Sequence, residues 1–119
     1  MRYLCLVYFE EKTMETLSKS ESDRCVRESL AYIEELQDSG HLIAAHALQP
    51  VRTATSLRLH NSKLSVTDGP FAETKEQLGG YSIIEVKNLD EALSVAARNP
   101  LLRGGHSIEV RPIRVGPPQ

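Results

Sequence analysis

The strongest constraint on the fold is an apolar run close to the N-terminus, at residues 2–9. Because side chains alternate between the two sides of a β-strand, each side of this run can be considered separately. Both sides are apolar: one carries Leu4, Leu6 and Tyr8, and the other carries Tyr3, Cys5, Val7 and Phe9. A strand that is apolar on both sides needs a covering layer on each of them. The sequence therefore predicts a strand inside a sheet that is covered twice.

Two amphipathic helices are predicted to form one covering layer. The first lies between a polar segment at residues 18–23, which offers several N-cap side chains, and Gly40, which is suited to the C-cap. Its apolar stripe comprises Val26, Leu30, Ile33 and Leu36. The second helix begins after Asn88, which has capping-box spacing to Glu91, and ends before Pro100. Its apolar stripe comprises Leu89, Ala92, Leu93 and Ala96.

Further strands are predicted by alternation and by turn residues. They lie at residues 42–48, 56–60, 64–67, 81–86 and 107–115, and Asn61-Ser62 is the turn of a hairpin. The order of strand, helix, several strands, helix and strand indicates an α+β domain with ferredoxin-like split βαβ topology and an antiparallel sheet. Both helices would pack on one face of that sheet. The other face stays apolar, which predicts a homodimer because monomers rarely expose large apolar patches.

Composition excludes several classes of function. The 119 residues carry 14 basic and 16 acidic side chains, and this balance without a basic cluster argues against direct nucleic-acid binding. No apolar run approaches the roughly 18 to 20 residues of a membrane span, and no export signal is visible, so a cytoplasmic protein without membrane contact is expected. The two cysteines and four histidines lack metal-ligand spacing, so neither a metal nor another cofactor is predicted. Cys5 is expected to be a buried structural thiol.

One segment concentrates ionisable groups beside an aromatic ring. Residues 68–76, here called the signature segment, contain Asp68, Phe71, Glu73, Lys75 and Glu76. It has two interpretations. In one it is a hairpin connection with solvated charges, in which Asp68 accepts backbone N–H bonds and Pro70 restricts the loop. In the other it is a binding loop, in which Asp68 or Glu73 acts as a base and Lys75 orients an anion.

The run Asp-Gly-Pro-Phe-Ala-Glu-Thr-Lys-Glu at residues 68–76 resembles the signature of the DGPF-motif branch of the YCII-related family. Supporting matches lie at residues 1–4, 34–36, 48–50, 78–81, 89–92 and 109–112. The resemblance implies a single YCII-related domain at residues 1–115, followed by a C-terminal tail at residues 116–119, and a dimeric α+β barrel. Many proteins of this branch are encoded near sigma factors of the extracytoplasmic-function type, which implies a sigma factor as a candidate partner.

The sequence departs from the wider family at its suspected pocket residues. In that family a His on the first helix and an Asp in an Asp-Pro pair after the second helix are suspected to act together. The corresponding positions here offer Ser29 and Tyr32 on the helix, and Asn99 before Pro100. A mechanism based on the His–Asp dyad therefore does not transfer to this chain.

Two hypotheses of function follow. The first is a homodimer that binds a small polar or anionic molecule in a cleft between the first helix, the sheet and the signature segment. Asp68 and Glu73 are its candidate catalytic residues, Lys75 is the anion contact, and Tyr32 and Phe71 are wall residues. The alternative is a non-catalytic accessory or regulatory protein that acts with a partner such as a sigma factor. The missing dyad favours the alternative.

Overall fold

The N-terminal strand lies inside a four-stranded sheet in a computed structural model, which describes residues 1–116. The helices and strands are β1 (Arg2–Phe9), α1 (Glu11–Glu15), α2 (Lys19–Asp38), β2 (Leu42–Ala47), β3 (Thr55–His60), β4 (Lys63–Asp68), β5 (Gln77–Glu85), α3 (Leu89–Ala96) and β6 (Ser107–Pro112). Short 3₁₀ turns lie at Val51–Thr53 and Pro100–Gly104. The last three residues of the predicted tail, 117–119, lie outside the described residues.

The sheet confirms the predicted topology. Its strand order is β2-β5-β1-β6, and all three neighbouring pairs are antiparallel. With α2 between β1 and β2, and α3 between β5 and β6, this is the ferredoxin-like arrangement of an α+β domain. Strands β3 and β4 pair only with each other and form a separate two-stranded hairpin between β2 and β5.

The core lies between the sheet and the two longer helices. Its buried residues are Tyr3, Cys5, Tyr32, Leu36, Ile84, Val86, Ala92, Val95 and Ala96. These residues come from β1, α2, the end of β5 and α3, so both helices cover the same face of the sheet, as predicted. The Cys5 thiol is buried, as predicted, and burial raises its pKa.

The opposite face of the sheet has no helix over it within residues 1–116. Directly opposed residues of neighbouring strands share a face, and β1 and β5 oppose Leu6 with Tyr81 and Leu4 with Ile83. These four residues are partly exposed, and they lie outside the core cluster. We call this surface the open sheet face. The chain therefore supplies one of the two covering layers that β1 requires.

Several details differ from the prediction. Strand β5 begins at Gln77, four residues before the predicted start at residue 81, and Leu89 and Leu93 of the predicted α3 stripe are about half exposed. The short helix α1 was not predicted; it has no side-chain N-cap, so no local signal marks its start. Strand β6 ends at Pro112 rather than near residue 115, because Pro112 pairs with Tyr3 and the partner strand begins just before that residue. On α2 only the C-terminal part of the predicted stripe is buried: Leu36 is inaccessible to solvent, whereas Leu30 is 64% exposed.

The contrast on α2 gives a test of the core. Leu36→Ala should lower the free energy of unfolding by about 2 to 5 kcal/mol, because a buried leucine leaves a cavity when it is truncated. Leu30→Ala makes the same change on the same helix, and should cost less than about 1 kcal/mol because the side chain is largely exposed. Urea unfolding of both variants measures the difference, and equal losses would contradict this description of the core.

Candidate functional site

A cleft of about 490 Å³ lies between α2, the sheet and the turn Pro100–Gly104. Most of its wall is apolar, and the helix contributes the exposed part of its stripe, Val26 and Leu30. Leu101 closes the wall from the 3₁₀ turn. No Asp, Glu, Lys or Arg side chain lines the cleft in the part of the chain that the structure describes. The cleft is therefore an apolar site of a size that suits a small organic molecule.

Two consecutive glycines of β5 shape the floor of this cleft. Gly79 lies at an irregularity in the pairing of β1 with β5, where the register shifts between Val7 and Tyr8. A Cβ atom on Gly79 would overlap the ring of Phe9, which also lines the cleft. A Cβ atom on Gly80 would lie 3.0 Å from the carbonyl oxygen of His46. The glycines let Phe9 and β2 approach the floor closely.

The polar groups of the cleft are few. They include Ser29 and Cys25 from α2, His46 from β2, Tyr81 and Ser82 from β5, and Asn99. The side chain of Asn99 already accepts a hydrogen bond from the backbone N–H of Leu101 at 3.0 Å, so Asn99 caps the following turn. The hydroxyl of Ser82 also meets the buried thiol of Cys5 in a hydrogen bond, and Ser29 supplies the second serine hydroxyl of the cleft.

Tyr32 belongs both to the core and to the wall of the cleft. Its hydroxyl donates a 2.8 Å hydrogen bond to the carbonyl oxygen of Val95 on α3. Burial raises the pKa of the Tyr32 phenol to about 12, so the group is neutral at physiological pH and cannot act as a base there. Tyr32 therefore ties the two helices together while its ring closes one side of the cleft.

The positions where the sequence departs from the wider family meet in this cleft. Ser29 and Tyr32 approach from α2, and Asn99 approaches from the segment after α3. The three residues that the resemblance sets against the suspected dyad therefore line one and the same cleft. The spacing of these residues along the chain does not predict that they lie close together. Their correspondence to the suspected dyad does predict it.

The other predicted site residues lie elsewhere. Asp68 ends β4, and Phe71, Glu73 and Lys75 follow it; all four are exposed and lie outside the cleft wall. Of the five predicted site residues, only Tyr32 lines the cleft. The structure thus forms the predicted cleft from helix and sheet without the signature segment. The roles of Asp68, Glu73 and Lys75 in catalysis or binding stay predictions.

Neither a metal site nor a membrane helix is formed by residues 1–116. No three His, Cys, Asp or Glu side chains in this range come close enough together to hold a metal ion. None of the helices in this range has the length and apolar character to cross a membrane.

The turn at the start of the signature segment is held by backbone atoms and a serine. Gly69 has a left-handed φ of +98°, and its N–H donates to the carbonyl oxygen of Ala54 at 2.7 Å. The Ser56 hydroxyl donates to the carbonyl oxygen of Gly69 at 2.8 Å. The carboxylate of Asp68 takes part in no hydrogen bond among the described residues. The expectation that Asp68 accepts backbone N–H bonds is therefore wrong: the glycine and Ser56 make the turn.

We expect Ser56→Ala to loosen the hairpin base and Asp68→Ala to leave it unchanged. Removal of the Ser56 hydroxyl loses a bond worth about 1 kcal/mol, which corresponds to about 5-fold weaker amide protection in β3 and β4. Removal of the exposed Asp68 carboxylate should change protection less than 2-fold. Hydrogen exchange is the appropriate measurement because the hairpin lies outside the core. If Asp68→Ala weakened amide protection more than 2-fold, the structural role predicted for Asp68 would be supported after all.

Tyr32 gives a test with a defined pH dependence. Tyr32→Phe should lower the free energy of unfolding by about 0.5 to 1.5 kcal/mol near neutral pH, because the bond to Val95 is lost. The folded-state pKa of about 12 lies above the unfolded value of about 10, so the advantage of the wild type is complete below pH 10 and declines as pH rises towards 12. Urea unfolding of both proteins between pH 8 and 11 measures this convergence, and a constant difference would contradict it.

The comparisons with known proteins agree with these observations. A model of the YCII-related domain matches residues 1–115. An uncharacterised protein of Rhizobium meliloti (strain 1021) is 38% identical to this chain over 122 residues, which cover 99% of this chain and 96% of the relative. The match to this family model therefore covers the sheet, both longer helices and the cleft. The protein belongs to the YCII-related domain family.

Proposed function

We propose that this protein binds a small, neutral and largely apolar molecule in the cleft between α2 and the sheet. The observation that carries the proposal is a cleft of about 490 Å³ without a charged side chain among its described lining residues. Sites for small organic ligands have this size and an apolar wall with a few placed polar groups. Ser29 and Ser82 are the hydroxyls that would orient the ligand.

The wall favours a neutral ligand over the polar or anionic one predicted from the signature segment. Moving a charge out of water is costly unless a partner of opposite charge meets it. Lys75, which was predicted to contact an anion, lies outside the cleft, and no arginine or lysine replaces it there. Apolar contact with Val26, Leu30 and Leu101 would supply most of the binding free energy.

The proposed role is binding rather than acid–base catalysis. A general base must be ionisable near the working pH and within hydrogen-bond reach of its substrate. Tyr32 has a raised pKa, and Asp68 and Glu73 lie outside the cleft wall. His46 also lines the cleft, but it is directly opposed to Tyr81, so its ring lies with that of Tyr81 on the open sheet face, 5.7 Å away. Catalysis by Asp68 or Glu73 would require a second ligand site beside the signature segment. Such a site is the form that an enzymatic function would take.

The proposal also covers the branch of the family, the alternative function and the cellular location. The run at residues 68–76 supports membership of the DGPF-motif branch within the family. A regulatory role with a sigma factor is the alternative, and co-purification of a stoichiometric partner from the native host would favour it over ligand binding. The cytoplasmic location stays a prediction from the sequence.

A homodimer is the proposed assembly. The open sheet face presents Leu4, Leu6, Tyr81 and Ile83 to solvent in a single chain, and contiguous apolar surface of this kind marks an interaction site. In a two-fold symmetric dimer, the open sheet face of each copy is covered by the same apolar surface of the other copy. Sedimentation equilibrium should give about twice the 13.2 kDa of one chain.

A bulky substitution at the cleft entrance tests the binding site. We expect wild-type protein to bind the neutral fluorescent probe N-phenyl-1-naphthylamine at one saturable site. Val26→Trp should weaken binding at least 10-fold, because Val26 lines the cleft and tryptophan would fill it. Arg27→Trp is the matched control: it adds the same side chain one residue later, at an exposed position outside the lining, and should change affinity less than 3-fold.

Equal affinity of Val26→Trp and wild type would place the probe elsewhere and overturn the proposal. The preferred class of ligand can then be identified with a panel of neutral metabolites that compete with the probe for the wild-type cleft. Native mass spectrometry measures the stoichiometry of each competitor. A true ligand of the cleft should bind the Arg27→Trp variant as it binds the wild type, and should lose affinity for the Val26→Trp variant.

A further inference from the structure

The short helix α1 cannot hold itself in place. It contains five residues, none of them is buried, and its N-cap residue Glu10 makes no side-chain cap. A helix of this length is not stable alone in water, because too few bonds follow the costly first turn. The first N–H groups of a helix also lack partners inside the helix. Other parts of the chain must therefore stabilise α1.

Gln77 supplies a partner for the start of α1. Its Oε1 accepts a hydrogen bond at 2.9 Å from the backbone N–H of Glu11, the first residue of the helix. Its Nε2 donates to the carbonyl oxygen of Thr74, in the signature segment, at 2.6 Å. The two bonds fix the orientation of the amide, because the N–H group requires an acceptor and the carbonyl requires a donor. One side chain therefore bonds both α1 and the signature segment.

Glu11 extends this set of bonds to the segment after β2. Its carboxylate accepts from the backbone N–H of Val51, with oxygen–nitrogen distances of 3.1 and 3.4 Å. Val51 is the first residue of the 3₁₀ turn Val51–Thr53, so its N–H lacks a partner within that turn. A bond to an ionised acceptor is stronger than one between neutral groups. The start of α1 is thus fastened both to the segment after β2 and to the start of β5.

The signature segment is itself fastened where it meets Gln77. The Ser107 hydroxyl, at the start of β6, donates to the carboxylate of Glu76 at 3.1 Å. The Thr74 hydroxyl donates to the carbonyl oxygen of Glu76. The backbone of Gln77 pairs with Phe9 of β1. These bonds fix the position from which the Gln77 side chain reaches α1.

The helix that Gln77 holds forms part of the cleft. Met14 of α1 is half-buried and lines the cleft, whereas Glu11 and Gln77 lie outside its wall. Methionine is unbranched and flexible, so its side chain adapts to the shape of what it contacts. The position of α1 therefore sets how Met14 closes this part of the wall.

We propose that Gln77 is a positioning residue of the cleft. Through its two bonds the signature segment holds α1 in place, and α1 holds Met14 against a bound ligand. The inference rests on the proposed ligand site. It gives the signature segment a role in that site although Asp68, Glu73 and Lys75 do not line the cleft.

Methyl NMR of the protein without ligand tests the first part. The chain has two methionines, Met1 and Met14, so methyl-labelled methionine gives two signals. Gln77→Leu removes both side-chain bonds and should move the Met14 signal to the position of a solvent-exposed methionine, while the Met1 signal stays in place. Gln37→Leu makes the same change at an exposed position of α2 and should move neither signal. An unchanged Met14 signal in Gln77→Leu would overturn the proposal.

A pair of glycine substitutions tests the part played by the signature segment. Thr74→Gly removes the hydroxyl bond to Glu76 and frees the carbonyl that Gln77 uses, so it should move the Met14 signal in the same direction as Gln77→Leu. Ala72→Gly loosens the same segment at an exposed position and should not move it. If Thr74→Gly leaves the Met14 signal in place, the role given to the signature segment is overturned.

Probe binding then tests whether Gln77 acts through Met14. Gln77→Leu should weaken binding of N-phenyl-1-naphthylamine at least about 5-fold in the wild-type background, but less than about 2-fold in a Met14→Ala background, because residues that act together are not additive. Equal losses in both backgrounds would overturn the proposal. A wild-type protein that does not bind the probe would overturn the proposed ligand site, while the NMR spectra of the ligand-free protein would still decide whether Gln77 positions α1.

Discussion

The structure depends on a single strand that is apolar on both sides. The Tyr3 and Cys5 side of β1 meets α2 and α3, and the buried cluster forms there. The Leu4 and Leu6 side has no covering element among residues 1–116. Many antiparallel sheets are covered on one face only, and their uncovered face is polar. The uncovered face of this sheet is apolar. The open sheet face is thus a consequence of how β1 alternates.

The fold was predictable to the extent that its signals are local. Ser18 and Glu21 exchange hydrogen bonds in a capping box at the start of α2, and Asn88 accepts from the N–H of Glu91 at the start of α3. The hairpin turn at Asn61-Ser62 is as expected. Each of these features depends on residues within four positions of one another. The short α1 has no such cap. Strand β6 ends where its antiparallel partner β1 begins, and β1 lies more than 100 residues away in the sequence.

The candidate site was less predictable because it is assembled from distant parts of the chain. Its wall extends from Val7 on β1 to Leu101 after α3, and no spacing along the sequence relates the two. Val26 and Leu30 fit a core stripe as well as a cleft wall, because helical periodicity does not tell what a helix face meets. The signature segment drew attention through its charges. Charges in a loop are as common on a solvated surface as in a site, and here they are exposed.

The separation of the charged segment from the uncharged cleft decides how a ligand would be recognised. Exposed charges such as Glu73 and Lys75 are screened by water and hold a ligand weakly. Within the cleft the dielectric is lower, so a hydrogen bond to Ser29 or Ser82 is stronger, and an unmatched polar group on the ligand is more costly. Apolar area would therefore set affinity, while two hydroxyls would select among ligands of similar shape. Binding and orienting a ligand need only apolar area and such hydroxyls, whereas general acid–base chemistry also needs a group that ionises near the working pH within reach of the ligand.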